Sequence, residues 1–154
     1  GQPAPEAPER EQQADTRGDA AAEAAALYQR LRQPRQPSKR FLNARTRAHE
    51  AAAYMEAWSR KVEAVGNLNY PSAARRRGLS GRLILEVTLR PDGSVEAVRV
   101  VERSRHRLLD EAAVRTVRLA APFSEIPEEV LDGHDQLVIT RTWEFVDGGR
   151  LETH

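Results

Sequence analysis

The sequence predicts a small α+β domain: a three-stranded antiparallel sheet with helices on one face, preceded by a long lead-in helix and a disordered N-terminal arm. Residues 83–90 alternate apolar and polar side chains, and Pro-Asp-Gly at 91–93 follows them directly. This combination is typical of a β-hairpin. A third alternating stretch, residues 136–146, comes after a helical pattern, so it is expected to join the hairpin in one sheet.

Composition limits the chain to one ordinary domain with an extension. Of 154 residues, 40% are hydrophobic and 31% are charged. Residues 21–82 carry thirteen Lys and Arg against four Glu, whereas residues 83–154 carry nine basic and fourteen acidic residues. The basic middle suits nucleic acid, anionic lipid or an acidic partner, or simply a solvated helix. No aromatic residues interleave with the arginines, so we predict the solvated helix and no nucleic-acid partner. The absence of cysteine excludes disulfides.

The N-terminal region divides into an arm and a lead-in. Residues 1–19 are rich in Pro, Ala, Gln and acids and lack periodicity, which predicts a disordered arm. The lead-in, residues 20–66, should hold a first helix that starts after Asp19 and ends at Pro34 and Pro37.

A second helix is predicted to start near Ser38 and to stop at Gly66 and Asn67. Its apolar residues follow alternating steps of three and four, as in a heptad seam. Either this seam forms a coiled coil with a partner helix, or its second half packs on the chain's own domain; the second interpretation is favoured because small Ala seams bind weakly. The seam comprises Phe41, Ala44, Ala48, Ala51, Met55, Trp58, Val62 and Val65.

The main domain is predicted to cover residues 67–147, with a short tail at 148–154. It opens with an extended linker, because Pro71 restricts the residue before it. The elements that follow are expected to be a short helix (72–77), two hairpin strands (83–90 and 94–102), a helix (108–121), an acidic loop (123–135) and a last strand (136–146).

No catalytic group or cofactor site is apparent. The four histidines fall in no paired ligand motif. Asp132, His134 and Asp135 lie close in one loop and could hold a metal, but such sets are more often a polar loop. We therefore predict no enzyme, no catalytic residue, no metal and no cofactor.

One set of residues resembles the C-terminal domain of the TonB energy-transducer family. The set begins with Tyr70-Pro71, Ala74, Gly78 and Gly81, and continues with Asp92-Gly93-x-Val95, Leu109-Asp110-x-Ala112-Ala113 and Pro122-Phe123. It spans residues 54–146 and is specific as a set.

The resemblance implies a non-enzymatic transducer on the periplasmic side of the inner membrane of a Gram-negative bacterium, with its single-pass anchor outside this sequence. Its partners would be the TonB box of an outer-membrane TonB-dependent transporter, for siderophore or cobalamin uptake, and an ExbB–ExbD-type proton-channel complex. The box would add a strand to the last strand of the domain. Homodimerisation is left open.

The resemblance also implies the binding residues. These are the segment before the short helix (Asn67, Leu68, Asn69, Tyr70, Pro71) and the last strand (Leu137, Val138, Ile139, Thr140, Arg141, Thr142, Trp143, Glu144, Phe145).

Two departures from the family pattern bear on this expectation. Asn67-Leu68-Asn69 stands where many members have Gln-Pro before the Tyr-Pro pair, and Arg103-Ser104-Arg105-His106-Arg107 replaces a Ser/Gly-rich turn. The alternative function is a TolA-like or polar-assembly envelope scaffold with the same fold.

Overall fold

The computed structural model describes residues 6–32, 36–147 and 149–154, with the backbone alone for residues 6–17. The chain forms two compact units, Gly1–Gln36 and Pro37–His154. The first holds α1 (Glu6–Arg32). The second holds, in chain order, β1 (Lys39–Leu42), α2 (His49–Leu68), α3 (Ser72–Arg76), β2 (Gly81–Leu89), β3 (Val95–Glu102), α4 (Arg107–Ala120), α5 (Glu128–Leu131), β4 (Gln136–Val146) and β5 (Arg150–Thr153).

The N-terminal helix is longer than predicted. α1 begins at Glu6, whereas a disordered arm was expected up to residue 19. This stretch is rich in Glu, Gln, Arg and Ala, which favour helix even without an apolar stripe. Residues 1–5 of the predicted arm, and Pro34 as the predicted helix stop, lie outside the described residues.

The sheet has five strands, so the predicted three-stranded antiparallel sheet is incomplete. β4, β2 and β3 are antiparallel neighbours in that order, as expected. Two further short strands lie along the other side of β4: β1 is parallel to it, and β5 is antiparallel. The sheet is therefore mixed, and the residues predicted as a tail at 148–154 contain a strand.

The predicted helix from Ser38 is also wrong in its first half. β1 replaces its start, and α2 begins only at His49. In β1, Phe41 is 65% exposed and Leu42 is buried, so the heptad seam does not continue there. Gly66 lies inside α2 and does not stop it.

The second half of the seam packs on the chain's own domain. Met55, Trp58 and Val62 are buried in the core that α2 forms with the sheet. The Trp58 ring lies edge-on to the Trp143 ring of β4, with the centroids 6.5 Å apart. The apolar stripe of α2 therefore packs within the second unit.

The rest of the domain follows the expected elements closely. α3, β2, β3 and α4 each lie within two residues of their predicted bounds, and β4 has the predicted bounds. One turn of helix, α5, lies in the loop that was expected to be irregular. Helices α2 and α4 bury their apolar sides in one core with the sheet.

Tyr54 on α2 gives a pH prediction for this core. Its hydroxyl donates a hydrogen bond to the Ser124 carbonyl at 2.7 Å. Burial raises the pKa of Tyr54 from its usual 10.0 to about 12, because the charged phenolate is poorly solvated there. A raised pKa contributes stability that is present below pH 10 and is lost as the pH rises through 12. Burial raises the pKa of Tyr70 as well, so absorbance titration should show one late-ionising phenol fewer in Tyr54→Phe than in the unaltered chain. An unchanged number of late-ionising phenols in that variant would contradict the assignment.

Candidate functional site

The outer edge of β4, meaning the side that faces away from β2, is already paired. β1 lies opposite residues 136–139, and β5 lies opposite residues 143–146. Beyond β5, Thr142 and His154 exchange two backbone hydrogen bonds of 2.9 and 2.8 Å. The edge expected to stand open for a partner strand is therefore filled by the chain itself.

Two side chains of α2 hold the second edge of β5. The Asn67 Oδ1 atom accepts a hydrogen bond from the Leu151 N–H at 2.8 Å, and its Nδ2 donates to the Leu151 carbonyl at 3.2 Å. One helical turn earlier, the Glu63 carboxylate accepts hydrogen bonds from the backbone N–H and the hydroxyl of Thr153, at 2.7 and 2.8 Å. Asn67 thus binds both backbone groups of one residue, as a neighbouring strand would.

The side chain of Leu151 fits closely against α2. Leu151 is 1% exposed. A Cβ placed on Gly66 would lie 2.4 Å from its Cδ2 atom, so glycine at this position leaves the room that Leu151 occupies. β4, Gly66, Glu63 and Asn67 together form a slot one strand wide, which we call the β5 slot.

The predicted segment of residues 67–71 lies partly at this slot. Asn67 contacts β5 directly, and the buried Tyr70 ring packs edge-on against Phe145 of β4, with centroids 5.7 Å apart. Asn69 instead bonds to the Val65 carbonyl of its own helix. Leu68 is 86% exposed, and Pro71 precedes α3. The structure therefore brings Asn67 and Tyr70 to the carboxyl-terminal half of β4.

The predicted residues of β4 differ in what they can offer a partner. Four of them are fully buried on the side that faces the helices, and Val138 is also buried. These five residues can therefore offer a partner only their backbone groups. The half-buried Thr140, Thr142 and Glu144 alternate with the helix-facing residues. The four helix-facing residues are Leu137, Ile139, Trp143 and Phe145.

Arg141 interrupts the apolar face of β4. Burial lowers the pKa of its guanidinium, while the nearby carboxylates of Glu63 and Glu56 raise it. Its Nε atom is buried and has no hydrogen-bond partner in the described residues. With Thr140, it lies between the positions that β1 and β5 cover. Arg141 places a positive charge at the break in the outer strands.

β1 is anchored at its start and end. The Ser38 N–H donates to the Asp135 carboxylate at 2.9 Å, and the Ser38 carbonyl accepts from the backbone N–H groups of Asp135 and Gln136, each at 3.0 Å. Leu42 at the other end is 1% exposed. In the described part of the chain, no strand pairs with the far side of β1.

The loop residues considered for a metal do not converge. Among the residues that the structure describes, the three potential ligands close enough to share an ion are Glu144, Glu152 and His154, whose ligand atoms lie within 4.8 Å of one another. His134 instead contacts the Leu131 carbonyl, 3.0 Å from its Nδ1 atom. The set Asp132, His134 and Asp135 therefore forms part of a turn.

Sequence reasoning missed β5 and the role of Glu63. The one available signal was the alternation of the charged residues Arg150 and Glu152 with Leu151 and Thr153. Four residues are too few for that pattern to separate a strand from a tail.

The comparisons with known proteins agree on one family. A family model described as Gram-negative bacterial TonB protein C-terminal matches residues 66–146. The chain therefore belongs to the TonB C-terminal family. No described helix has the length and apolar character required to cross a membrane.

Two curated relatives and one solved structure are similar to this chain. Protein TonB of Helicobacter pylori strain ATCC 700392 / 26695 is 34% identical over 62 residues, which are 40% of this chain and 22% of that protein. Protein TonB of strain J99 is 32% identical over 62 residues, with the same coverage. The chain thus spans about a fifth of the length of these relatives. An NMR solution structure of the H. pylori TonB C-terminal domain is 24% identical, with a TM-score of 0.45, and the match covers 66% of this chain and 95% of that one.

Proposed function

We propose that this chain is the periplasmic part of a TonB-type energy transducer. It binds the TonB box of an outer-membrane TonB-dependent transporter by β-strand addition, and it carries out no catalysis. An ExbB–ExbD-type proton-channel complex, engaged through an inner-membrane anchor, would supply the energy. Membership of the TonB C-terminal family supports this proposal.

The observation that carries the proposal is the β5 slot. Asn67 and Tyr70, from the segment expected to bind a partner, lie there with β4 beside an extended backbone. That backbone is β5, which belongs to the chain itself. We therefore expect the transporter segment to displace β5 and to take over the hydrogen bonds that β4 and Asn67 now give to it.

Such an exchange makes binding weak and reversible. The incoming strand gains the hydrogen bonds and burial that β5 loses, and it must also be ordered on binding. The net affinity is then the difference between two similar interactions. Reversible capture is what a transducer that repeatedly engages and releases its transporter needs.

Loosening β5 should consequently strengthen partner binding. Leu151→Ala removes the buried side chain that fits against Gly66 and leaves the β4 backbone unchanged. A synthetic TonB-box peptide, titrated by calorimetry, should bind this variant about tenfold more tightly, because part of the cost of displacing β5 is removed. Leu31→Ala, at an exposed site on α1, is the control and should leave the affinity unchanged.

Amide hydrogen exchange identifies which strand, β5 or β1, the peptide displaces. With peptide bound in place of β5, the Leu151 and Thr153 amides should lose their hydrogen bonds to Asn67 and Glu63, so their exchange should accelerate. Faster exchange in β1 alone would show that the peptide replaces β1. No change in either strand, together with no binding to the Leu151→Ala variant, would overturn the proposal.

Thr142 offers the opposite test. Its N–H donates to the His154 carbonyl, so it is directed toward the outer edge of β4. Thr142→Pro removes that donor for any strand in this position and should abolish peptide capture. Circular dichroism and urea unfolding of the variant establish whether the domain remains folded. A folded Thr142→Pro variant with unchanged affinity would contradict binding at the outer edge of β4.

The scaffold alternative has less support than the transducer. The sequence features that favour it are the apolar seam at Met55–Val65 and the basic helix, both of which could serve as surfaces for another protein. Met55, Trp58 and Val62 of that seam are buried in the core of this domain. We therefore favour the transducer.

A further inference from the structure

The opposite edge of the sheet carries a second feature, unrelated to the β5 slot. β3 is the terminal strand on that side, and in the described part of the chain it pairs with β2 alone. Beside it, between β3 and α4, lies a groove of about 1120 Å³, which we call the β3–α4 groove. An unpaired strand edge next to a groove offers both backbone and side-chain contacts to an extended chain.

The floor of this groove is apolar. Val98 and Val100 of β3 lie opposite Val87 and Leu85 of β2 and share their helix-facing side. They remain half-buried, whereas Val87 and Leu85 are fully buried. Leu119 of α4, on the other wall, is 56% exposed. The core is thus left partly uncovered along this edge.

The rim of the groove is basic. Six arginines and two carboxylic acids line it, although residues 83–154 as a whole are acidic. The arginines come from β3, from the turn that departs from the family pattern, and from α4. They are Arg99, Arg103, Arg105, Arg107, Arg115 and Arg118.

The two carboxylates that line the groove do not neutralise the positive charge of all six arginines. Asp110 accepts a hydrogen bond from the Ser104 backbone N–H at 2.9 Å, which fixes the turn that carries Arg103 and Arg105. Glu111 pairs with Arg107 at 2.8 Å.

The partners of the arginines leave most of their charge available. Arg99 is paired with Glu86 of β2 at 3.2 Å, and Arg107 with Glu111. Within the described residues, no ion pair is formed by Arg103, Arg105, Arg115 or Arg118. Four of the arginines that line the groove therefore have no matching acid among the described residues.

We propose that the β3–α4 groove binds an acidic, extended segment of a partner protein, which adds as a strand to the edge of β3. Its backbone continues the sheet, its apolar side chains cover Val98 and Val100, and its carboxylates meet the arginines of the rim. A second copy of this chain fits less well, because it would bring two arginine-rich rims together.

The probe is a short peptide of Val, Glu and Asp, compared with the same peptide carrying Gln and Asn in place of the acids. NMR titration of the full chain should show shifts in the β3 amides and in α4, and affinity for the acidic peptide should fall steeply with salt. Equal binding of the neutral peptide would show that charge is not recognised and would overturn the proposal.

Charge reversal locates the site. The double variant Arg103→Glu and Arg118→Glu should weaken acidic-peptide binding by about tenfold or more, since two favourable ion pairs become repulsive. The matched control, Arg45→Glu and Arg47→Glu, changes the net charge equally at exposed positions outside the groove and should have little effect. Equal losses in both double variants would mean that only net charge matters, and the proposal would fail.

Two other occupants are distinguished in the same experiments. Vesicles containing phosphatidylglycerol that bind more tightly than the peptide, and shift arginine signals without the β3 amides, would assign the surface to anionic lipid. Concentration-dependent β3 shifts without peptide, with a dimer in sedimentation, would assign it to self-association. Either result would overturn the proposal, and neither would affect the test of the β5 slot.

Discussion

Replacing Trp143 with alanine is expected to lower the free energy of unfolding by about 3–5 kcal/mol. Trp143 lies on β4 and is 0% exposed, and its ring packs edge-on against Trp58 of α2. Truncation removes a large apolar surface and leaves a cavity between the sheet and α2 that the surroundings can fill only in part. Urea unfolding, followed by circular dichroism, measures the loss.

Trp143→Phe is the matched control. The Trp143 Nε1 atom is buried without a hydrogen-bond partner among the described residues, so phenylalanine gives up no hydrogen bond there. It keeps an aromatic ring against Trp58 and should cost clearly less than alanine. Losses below about 1 kcal/mol for the alanine variant would mean that this contact is not central to the core.

Gly93→Ala is expected to destabilise the domain by about 2–5 kcal/mol. Gly93 has a φ of +87°, and a Cβ there would lie 2.1 Å from the Phe123 carbonyl oxygen. The Phe123 N–H also donates to the Gly93 carbonyl at 2.9 Å, so the hairpin turn and the segment after α4 are fixed against each other. Alanine combines an unfavourable φ with a clash between two backbones.

Gly133→Ala separates these two contributions. Gly133 also has a positive φ, of +79°, but a Cβ on it would meet nothing within 4 Å. Its replacement should cost only about 1–2 kcal/mol, from φ alone. Chemical denaturation of both variants under the same conditions gives the comparison. Equal losses at the two positions would contradict the role assigned to the contact between Gly93 and Phe123.

The parts of the fold that were predicted correctly are those that depend on residues close together in the sequence. The hairpin was predictable because Pro91-Asp92-Gly93 separates two alternating strands, and Asp92 also accepts hydrogen bonds from the N–H and hydroxyl of Ser94, which lower its pKa. β4 was predictable with its bounds because Leu137, Ile139, Trp143 and Phe145 recur on one face, with one interruption at Arg141. Strong local periodicity fixed both.

The parts that sequence missed depend on distant partners. Residues 39–42 continue the spacing of a helix, yet they pair with β4, almost a hundred positions later in the chain. The strand at 150–153 exists because β4 offers an edge and because Glu63 and Asn67 bind its other side. Neither stretch carries a pattern long enough to reveal this pairing.

The location of the candidate site was predictable from the sequence. Its occupation by strands of the same chain was not. The family pattern pointed to residues 67–71 and β4, and the structure brings Asn67 and Tyr70 of that segment to β4. That the chain occupies this edge itself could not be read from either segment alone. The basic rim of the β3–α4 groove had a visible signal, since its six arginines all lie between residues 99 and 118.

The anchoring of β1 at Ser38 decides where a mechanical load would enter the folded domain. Tension on the chain ahead of Pro37 reaches Ser38 first, and Ser38 passes it through its hydrogen bonds to Asp135 and Gln136 at the start of β4. Because β1 runs parallel to β4, a pull along the strand axis would load the hydrogen bonds between these two strands in shear. The strand proposed to grip the transporter would thus lie next to the point where force arrives, with no helix in between.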